Sequence, residues 1–269
     1  MSDLVSDLRY GARLLRRAPG FTAVAVASLA LGIAGATTVF TLLNAIVLRP
    51  LPVASPGQLY LLRSETRRDH SELFSAPVFD RARAAVGSDA ELCAATGVSA
   101  MQLWPDGQTS ADRGAVQLVS GEYFTVLRQR PELGRLLAPS DNVDIDAHPV
   151  AVVSDAYWRE HLAASPAGVG STLRINGVAF TIVGIAEPGF FGTTVAVRNP
   201  DVWIPFRMQG AVRYNSNSSN SDGDSTKPWS PQPQISWLNV FARVPNTTAA
   251  PVIAARVSAV VQQDAVERL

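Results

Sequence analysis

The sequence predicts an α+β protein with one transmembrane helix near its amino end. Residues 18–48 carry no charged side chain, which is the first observation behind this prediction. The second is a strand–helix–strand pattern within residues 58–104, and the third is a two-residue hairpin signal at Asn176-Gly177. A chain of 269 residues can bury a substantial core in one or two domains.

The apolar stretch 18–48 has three interpretations. A membrane-spanning helix needs about 20 mostly apolar residues, whereas the apolar region of a signal peptide has about 7 to 15. Residues 23–33, followed by the small residues 34–36, fit a cleaved signal, and a buried core helix is the third alternative. The apolar sequence resumes at once through residues 39–48, which would be unfavourable at an exposed mature terminus. A globular helix of this length also rarely lacks charge on every face, so the stretch favours a retained transmembrane helix.

The segment before this helix, residues 1–17, predicts an amphipathic helix on the membrane surface. Leu4, Leu8 and Leu15 follow helical spacing, and charged side chains occupy the remaining positions. Arginines are denser on this side of the span than on the far side, where Arg49 and Arg63 lie. This bias predicts a cytoplasmic amino terminus and places the chain from residue 50 onward outside the cytoplasm.

Local patterns predict the elements of the remaining chain in order. They are a strand at 58–65, a helix at 75–86 capped by Ser75, one or two strands at 92–104, a strand and short helix at 113–127, a strand and helix at 149–164 capped by Ser154, a hairpin at 171–186 and a strand at 200–206.

The last quarter of the chain combines a polar tract with a strand and a helix. Residues 215–234 are of low complexity and predict a disordered loop, with Trp229 as its anchor. A strand is expected at 235–244. A helix follows from Thr248 to the last residue, with Thr247 or Thr248 as its cap and Pro251 in its first turn.

Composition limits the partners and the redox chemistry of this chain. The 23 basic and 23 acidic residues balance, so no electrostatic footprint for nucleic acid exists. All basic residues except Lys227 are arginine. Cys93 is the single cysteine, which excludes an intramolecular disulfide, and we expect it to be a small buried apolar residue rather than a nucleophile.

Searches for catalytic and cofactor motifs give no site. The sequence lacks a G-x-x-x-x-G-K-[ST] phosphate loop and a G-x-S-x-G nucleophile elbow. Residues 167–171 contain G-x-G but no third glycine, so they predict a turn. Tyr157 and Trp158 lie at core spacing on a predicted helix, and packing is their expected role. We predict no cofactor.

The three histidines, His70, His148 and His161, lie far apart in the sequence and give no support to a serine–histidine triad. His70 has Asp69 and Glu72 beside it, a combination that binds metals in some proteins, although a solvated charged loop is the favoured interpretation. The sequence therefore predicts no catalytic residue and no metal site.

Several segments together resemble the permeases related to the macrolide exporter MacB and to FtsX, in the group with a MacB-like periplasmic core domain. These segments are DLRYGARLLRRAPGFTAVAVASLALGIAGATTVFTLLNAIVLRPLP, VSGEYFTVLRQRPELGRLLAPSD, HPVAVVSDAYWREHL, VGSTLRINGVAFTIVGIAEPGFFG and DVWIPF. They follow one another along most of the chain, and in this family the apolar stretch is a retained first membrane helix.

The resemblance implies a periplasmic domain of two parts. Residues 50–110 and 235–269 would form a porter-like α/β part, the second half of which is truncated. Residues 113–208 would form an inserted, β-rich part, followed by the disordered loop 215–234. Members of the family carry three more membrane helices after this domain, so we expect the chain alone to fold and insert without conferring transport.

The resemblance also implies a function. Such permeases couple a cytoplasmic ABC ATPase to the export of hydrophobic compounds, peptides or lipoproteins, usually as homodimers in the bacterial inner membrane, and have no catalytic activity of their own. Two alternatives remain open from the sequence. One is a membrane-anchored or secreted module for binding or sensing, and the other is a periplasmic hydrolase behind a cleaved signal.

Overall fold

The computed structural model describes residues 16–43, 53–63, 73–106, 110–193, 199–216, 218–220 and 222–267. The chain divides into two compact units, residues 1–50 and 51–269. The predicted amphipathic helix at 1–15, the end of the predicted span at 44–48 and the cluster around His70 lie outside the described residues.

In the first unit, helix α1 extends over Pro19–Leu43. Within the described residues it is the one helix that is long and apolar enough to cross a membrane, over Pro19–Thr41. Its threonines donate their hydroxyl protons to carbonyls one turn earlier, as Thr37 does to Ile33 at 2.8 Å. These bonds satisfy the side chains within the helix, which suits an apolar surrounding.

The second unit contains the remaining elements. In chain order they are β1 Leu59–Leu62, α2 Ala76–Val86, β2 Glu91–Ala95, β3 Ser99–Pro105, β4 Asp112–Val119, α3 Tyr123–Val126, β5 Pro131–Gly134, β6 Val150–Val153, α4 Asp155–His161, β7 Thr172–Ile175, β8 Val178–Ala186, β9 Val202–Pro205, β10 Ser219–Asn220, β11 Ile235–Ser236, β12 Asn239–Arg243 and α5 Ala250–Glu267.

Three strands form a small antiparallel sheet in the order β1-β12-β2. Helices α2 and α5 cover one face of this sheet. The apolar side of α2 is fully buried there, with Phe79 and Ala82 at 1% exposure or less. Ser75 precedes α2 as predicted, but its side chain makes no capping hydrogen bond. In α4 the predicted cap is confirmed, because Ser154 Oγ accepts from the Tyr157 amide at 3.0 Å.

Six strands close into a barrel in the order β4-β3-β7-β8-β6-β9, because β9 also pairs in parallel with β4. Apolar side chains such as Leu103, Val116 and Ile182 are fully buried and belong to the main core. Strand β5 pairs with β8 outside the ring. Strand β3, within the range that the resemblance assigned to the α/β part, pairs with barrel strands β4 and β7.

The hairpin prediction is confirmed. Strands β7 and β8 pair through Ile175 and Val178, and both turn residues have positive φ, 47° at Asn176 and 88° at Gly177. This is the conformation of a type I′ turn. The Asn176 side chain fixes the turn further, since it accepts from the Gln102 amide at 3.0 Å and donates to the Val212 carbonyl at 2.7 Å.

Two predictions near the carboxyl end require correction. The strand expected at 235–244 is split into β11 and β12, because the backbone at Trp237 and Leu238 turns to donate to the carbonyl of Phe74. The last helix begins at Ala250, not at Thr248. Asn246 takes the capping role expected of Thr247 or Thr248, accepting from the Ala249 amide at 2.9 Å.

The polar tract 215–234 contains its predicted anchor. Trp229 is 3% exposed and packs edge-on against Trp237, with a centroid separation of 5.7 Å. Its amide donates to Gln209 Oε1 at 2.8 Å. The anchoring role of Trp229 is therefore confirmed, while the disorder expected for the tract stays a prediction.

Candidate functional site at the junction of sheet and barrel

The small sheet and the barrel meet where β2 runs beside β4. Ala95 pairs with Val119, and the flanking bonds continue this ladder through Ser120 to Ala94 at 2.8 Å and Thr96 to Leu118 at 2.8 Å. Both strands are buried at this point, so the hydrogen bonds are shielded from water. The two parts thus share one continuous sheet rather than a flexible linker.

Buried polar side chains reinforce the pairing. Gln117 Nε2 donates to the Thr96 carbonyl at 2.9 Å, and Gln117 Oε1 accepts from Trp203 Nε1 at 3.1 Å. Thr96 Oγ1 accepts from the Leu118 amide at 3.1 Å. Because an unpaired polar group in this core would cost about 1–3 kcal/mol, the satisfied network fixes one geometry of the junction.

Four arginine side chains tie the two parts together around this strand pairing, and we call them the junction arginines. They are Arg83, Arg128, Arg207 and Arg243. Arginine suits such ties since its planar guanidinium offers several donors and remains charged. The near absence of lysine was the one sequence signal for them, but the partners are distant in sequence and the pairs were not predicted.

Arg207 and Asp80 connect the end of the barrel to helix α2. Arg207 Nη2 lies 2.7 Å from Asp80 Oδ2, and Arg207 Nε donates to the Asn142 carbonyl at 2.9 Å. Its guanidinium lies 5.4 Å from the centroid of the Phe206 ring. Phe206 in turn meets Phe79 of α2 edge-on at 6.0 Å. The ion pair and the aromatic contact therefore both join α2 to the end of the barrel, on the same side of the junction.

Arg243 of β12 connects three segments on the other face of the sheet. Its Nε donates to the Val126 carbonyl of α3, and its Nη1 donates to the Ser55 carbonyl at 3.3 Å. Arg243 is only 4% exposed. Burial, together with the charge of Arg128, lowers the pKa of the Arg243 guanidinium from its ordinary value. Arg243 thus joins the segment at the start of the second unit to both the sheet and the barrel.

The other two ties are more exposed. Arg83 of α2 pairs with Glu122, which immediately precedes α3. Arg128 makes a bidentate contact with Glu91 of β2, at 2.7 and 2.9 Å, and both side chains are 45% exposed. Exposed pairs of this kind contribute about 0–1 kcal/mol each. Arg207 and Arg243 therefore contribute more to the stability of the junction than Arg83 and Arg128.

The Cys93 thiol and the Tyr123 hydroxyl of the junction are held in their neutral forms. Cys93 lies at its centre, fully buried, and burial raises the pKa of the thiol far above its ordinary value. The prediction of a buried apolar cysteine is confirmed. Burial likewise raises the pKa of the Tyr123 hydroxyl. Both groups are protonated at neutral pH, and the arrangement is suited to holding two parts in a fixed relation.

The remaining sequence candidates lie apart from one another. His148 lies 3.6 Å from Asp144. His161, the last residue of α4, lies 3.5 Å from Asp112. Tyr157 is buried and stacks on His161 at 4.5 Å, which confirms its packing role. Across the described part of the chain, histidine, cysteine and carboxylate side chains form no group of three that could hold a metal ion.

Comparisons with known proteins identify a family for this chain. The model of the family described as the MacB-like periplasmic core domain matches residues 22–262. No curated protein matches the chain.

Solved structures that resemble this chain were also found. The extracellular domain of the noncanonic ABC-type transporter YknZ from Gram-positive bacteria shares 11% identity and a TM-score of 0.48, covering 74% of this chain and 90% of that one. The periplasmic region of MacB from Actinobacillus actinomycetemcomitans shares 13% identity and a TM-score of 0.48, covering 73% and 79%. A domain of a putative permease protein from Porphyromonas gingivalis shares 10% identity and a TM-score of 0.47, covering 72% and 79%.

Proposed function

The chain belongs to the family of MacB-like periplasmic core domains of ABC-type transporter permeases, and from this premise we propose that it couples a cytoplasmic ATPase to export. In this proposal it is the first membrane helix and the periplasmic core of the permease. The amino terminus is cytoplasmic and the second unit is periplasmic. The observation that carries the proposal is the extent of the family match, which takes in both the apolar helix and the periplasmic domain.

The junction supports a mechanical role for the periplasmic domain. A force that enters through the segment at residue 55 reaches the Arg243 guanidinium directly, since the Ser55 carbonyl accepts its hydrogen bond. From Arg243 the force passes to the barrel through Val126. Because the strands are paired and the Gln117 and Thr96 side chains between them are hydrogen-bonded, the sheet and the barrel would move as one rigid body. A coupler needs this stiffness, whereas a catalyst would need an activated group.

The proposal assigns the domains and partners as follows. The sheet with α2 and α5 is the porter-like α/β part, and the barrel is the inserted part. The working assembly is a homodimer of the permease, with the remaining membrane helices and an ABC ATPase as partners and the lipid bilayer around α1. No catalytic residue, cofactor or metal takes part in the role of this chain.

The test separates coupling from ATP hydrolysis. The chain is co-expressed with the ATPase and any further membrane segments encoded with it, and reconstituted into liposomes. In this system Arg243→Met should reduce dye export by roughly ten-fold or more while basal ATP hydrolysis persists, because the force path is interrupted. The matched control is Arg130→Met, at an exposed position beyond α3. If Arg243→Met exports like the wild type, this force path is wrong.

A further inference from the structure

A polar cleft lies between residues 209–215, which follow β9, and residues 225–228 of the polar tract. It has a volume of about 350 Å³, at the lower end of the range for sites that bind small molecules. Its lining carries charges of both signs, positive at Arg213 and Lys227 and negative at Asp146, together with hydroxyl and amide side chains. None of the junction arginines lines this cleft.

Arg213 occupies a backbone position that favours glycine. The Tyr214 amide donates to the Gln209 carbonyl, and the Arg213 amide donates to the Gly210 carbonyl, both at 3.1 Å. These two bonds form a Schellman motif, in which the residue at the place of Arg213 has a positive φ and is usually glycine. Arg213 has φ of 55°. Backbone strain of this kind at a residue other than glycine concentrates at ligand-binding sites.

The positive side chains of the cleft are accessible to a ligand. Arg213 is exposed, and its guanidinium makes no hydrogen bond or ion pair with another described residue. The Lys227 side chain is 74% exposed, with its Nζ 3.1 Å from Asp224 Oδ2. A guanidinium binds a carboxylate through two parallel hydrogen bonds. The cleft therefore offers a carboxylate the donors of Arg213 and a second positive charge at Lys227.

Asp146 supplies the negative charge of the cleft. Its Oδ1 accepts from the Ala211 amide at 2.9 Å, and its own amide donates to the Arg207 carbonyl at 3.1 Å. Its Oδ2 lies beside Gly210, where a Cβ atom would come within 2.7 Å. None of the ion pairs of the described residues joins Asp146 to Arg213, although both line the cleft. Charges of opposite sign that do not neutralise each other complement a ligand that carries both charges.

Buried hydrogen bonds fix the two walls of the cleft. Gln209 is 4% exposed, and its Nε2 donates to the Tyr214 carbonyl at 2.7 Å. Its Oε1 accepts from the Trp229 amide at 2.8 Å, which ties the polar tract to the residues that follow β9. The walls are therefore in place before a ligand binds, and binding loses little conformational entropy in the protein.

We propose that this cleft binds a small zwitterionic ligand, an amino acid or a short peptide. The Arg213 guanidinium donates to the carboxylate of the ligand, and Lys227 adds a second positive charge. Asp146 Oδ2 accepts hydrogen bonds from the ammonium group. This inference rests on the backbone and the charges of the cleft, and it is independent of the proposed export function.

The test is calorimetric titration of the full 269-residue chain in detergent with glycylalanine, a zwitterion. It should bind with a Kd of about 1 mM or tighter, since a few charge-assisted hydrogen bonds hold it. N-acetylalanine has the same skeleton without the ammonium group, and glycylalaninamide lacks the carboxylate. Each should bind more weakly by about ten-fold or more. The absence of saturable glycylalanine binding, or equal binding of N-acetylalanine, would overturn the proposal.

Two substitutions separate binding from folding. Arg213→Gly removes the guanidinium and places glycine where the backbone favours it, so glycylalanine binding should weaken about ten-fold or more without a fall in the melting midpoint. Asp146→Asn keeps an acceptor for the Ala211 amide and should abolish the preference for glycylalanine over N-acetylalanine. The control Arg130→Met, at an exposed position outside the cleft, should bind like the wild type. Unchanged binding by Arg213→Gly, or an unchanged preference in Asp146→Asn, would overturn the assigned contacts.

Discussion

Arg207 at the end of the barrel and Asp80 on helix α2 form an ion pair of 2.7 Å, although 127 residues separate them in the chain. Both side chains are partly shielded, at 18% and 34% exposure. This pair, with the adjacent contact of Phe79 and Phe206, joins two parts that differ in architecture.

Loss of this ion pair should destabilise the junction measurably. Arg207→Met leaves the Asp80 carboxylate and the Asn142 carbonyl without their donor, and we expect the free energy of unfolding to fall by about 1–3 kcal/mol. Urea unfolding of the purified chain in detergent measures this change. The control is Arg130→Met, an exposed position where we expect less than about 0.5 kcal/mol. Equal effects of the two substitutions would show that the pair contributes nothing specific.

Acid should weaken the barrel through Asp141. Burial alone would raise the pKa of this carboxyl, but hydrogen bonds from Arg135 at 2.6 and 2.9 Å and from the Ala138 amide at 2.9 Å outweigh burial and lower it. A carboxyl whose pKa is lower in the folded state stabilises the protein above its unfolded pKa of about 4. The stabilisation is lost as the pH falls below that value towards the folded pKa.

The measurement is the melting midpoint of the chain between pH 6 and pH 3. The wild type should lose more stability over this range than Asp141→Asn, which has no carboxyl to titrate at this position. Parallel acid profiles for the two proteins would contradict the assignment of this pH dependence to Asp141.

Backbone strain should make Gly177→Val destabilising. Gly177 has φ of 88°, and a Cβ atom there would meet nothing within 4 Å, so conformation alone decides the effect. A β-branched residue at positive φ costs about 1–2 kcal/mol or more. The same substitution at Gly57, which also has open space and lacks a positive φ, is the matched control. An unchanged melting curve for Gly177→Val, or an equal loss at both sites, would show that the turn is not the cause.

Thiol labelling tests the proposed orientation in the membrane. Cysteine introduced at the exposed Ser218 should react with an impermeant reagent in cells whose outer membrane admits it, and cysteine at Ser2 should not. Native Cys93 should give little background, since it is fully buried and its pKa is raised. Reaction at position 2 without reaction at position 218 would reverse the topology.

Local sequence patterns were sufficient for most elements of this fold. The turn at Asn176-Gly177 needs only two residues that tolerate positive φ between β-rich flanks, and the cap at Ser154 needs only a hydroxyl before a helix. The length of the apolar stretch likewise predicted helix α1. The elements that patterns predicted poorly are those with a long-range partner, such as the break at Trp237 and Leu238, which is set by the backbone of Phe74.

The sequence by itself determined the apolar helix, the alternation of strands and helices and the hairpin, because each depends on residues that lie near one another along the chain. Only the tertiary structure decided that six strands close into a barrel, that β12 lies between β1 and β2, and that Arg207 and Arg243 clamp the junction. Those relations join residues that are distant in the chain, from Val116 and Val202 in the closure of the barrel to Arg207 and Asp80, which lie 127 positions apart. They depend on which surfaces bury one another. The free energy of burial depends on the apolar area removed from water and not on the distance between the residues in the sequence.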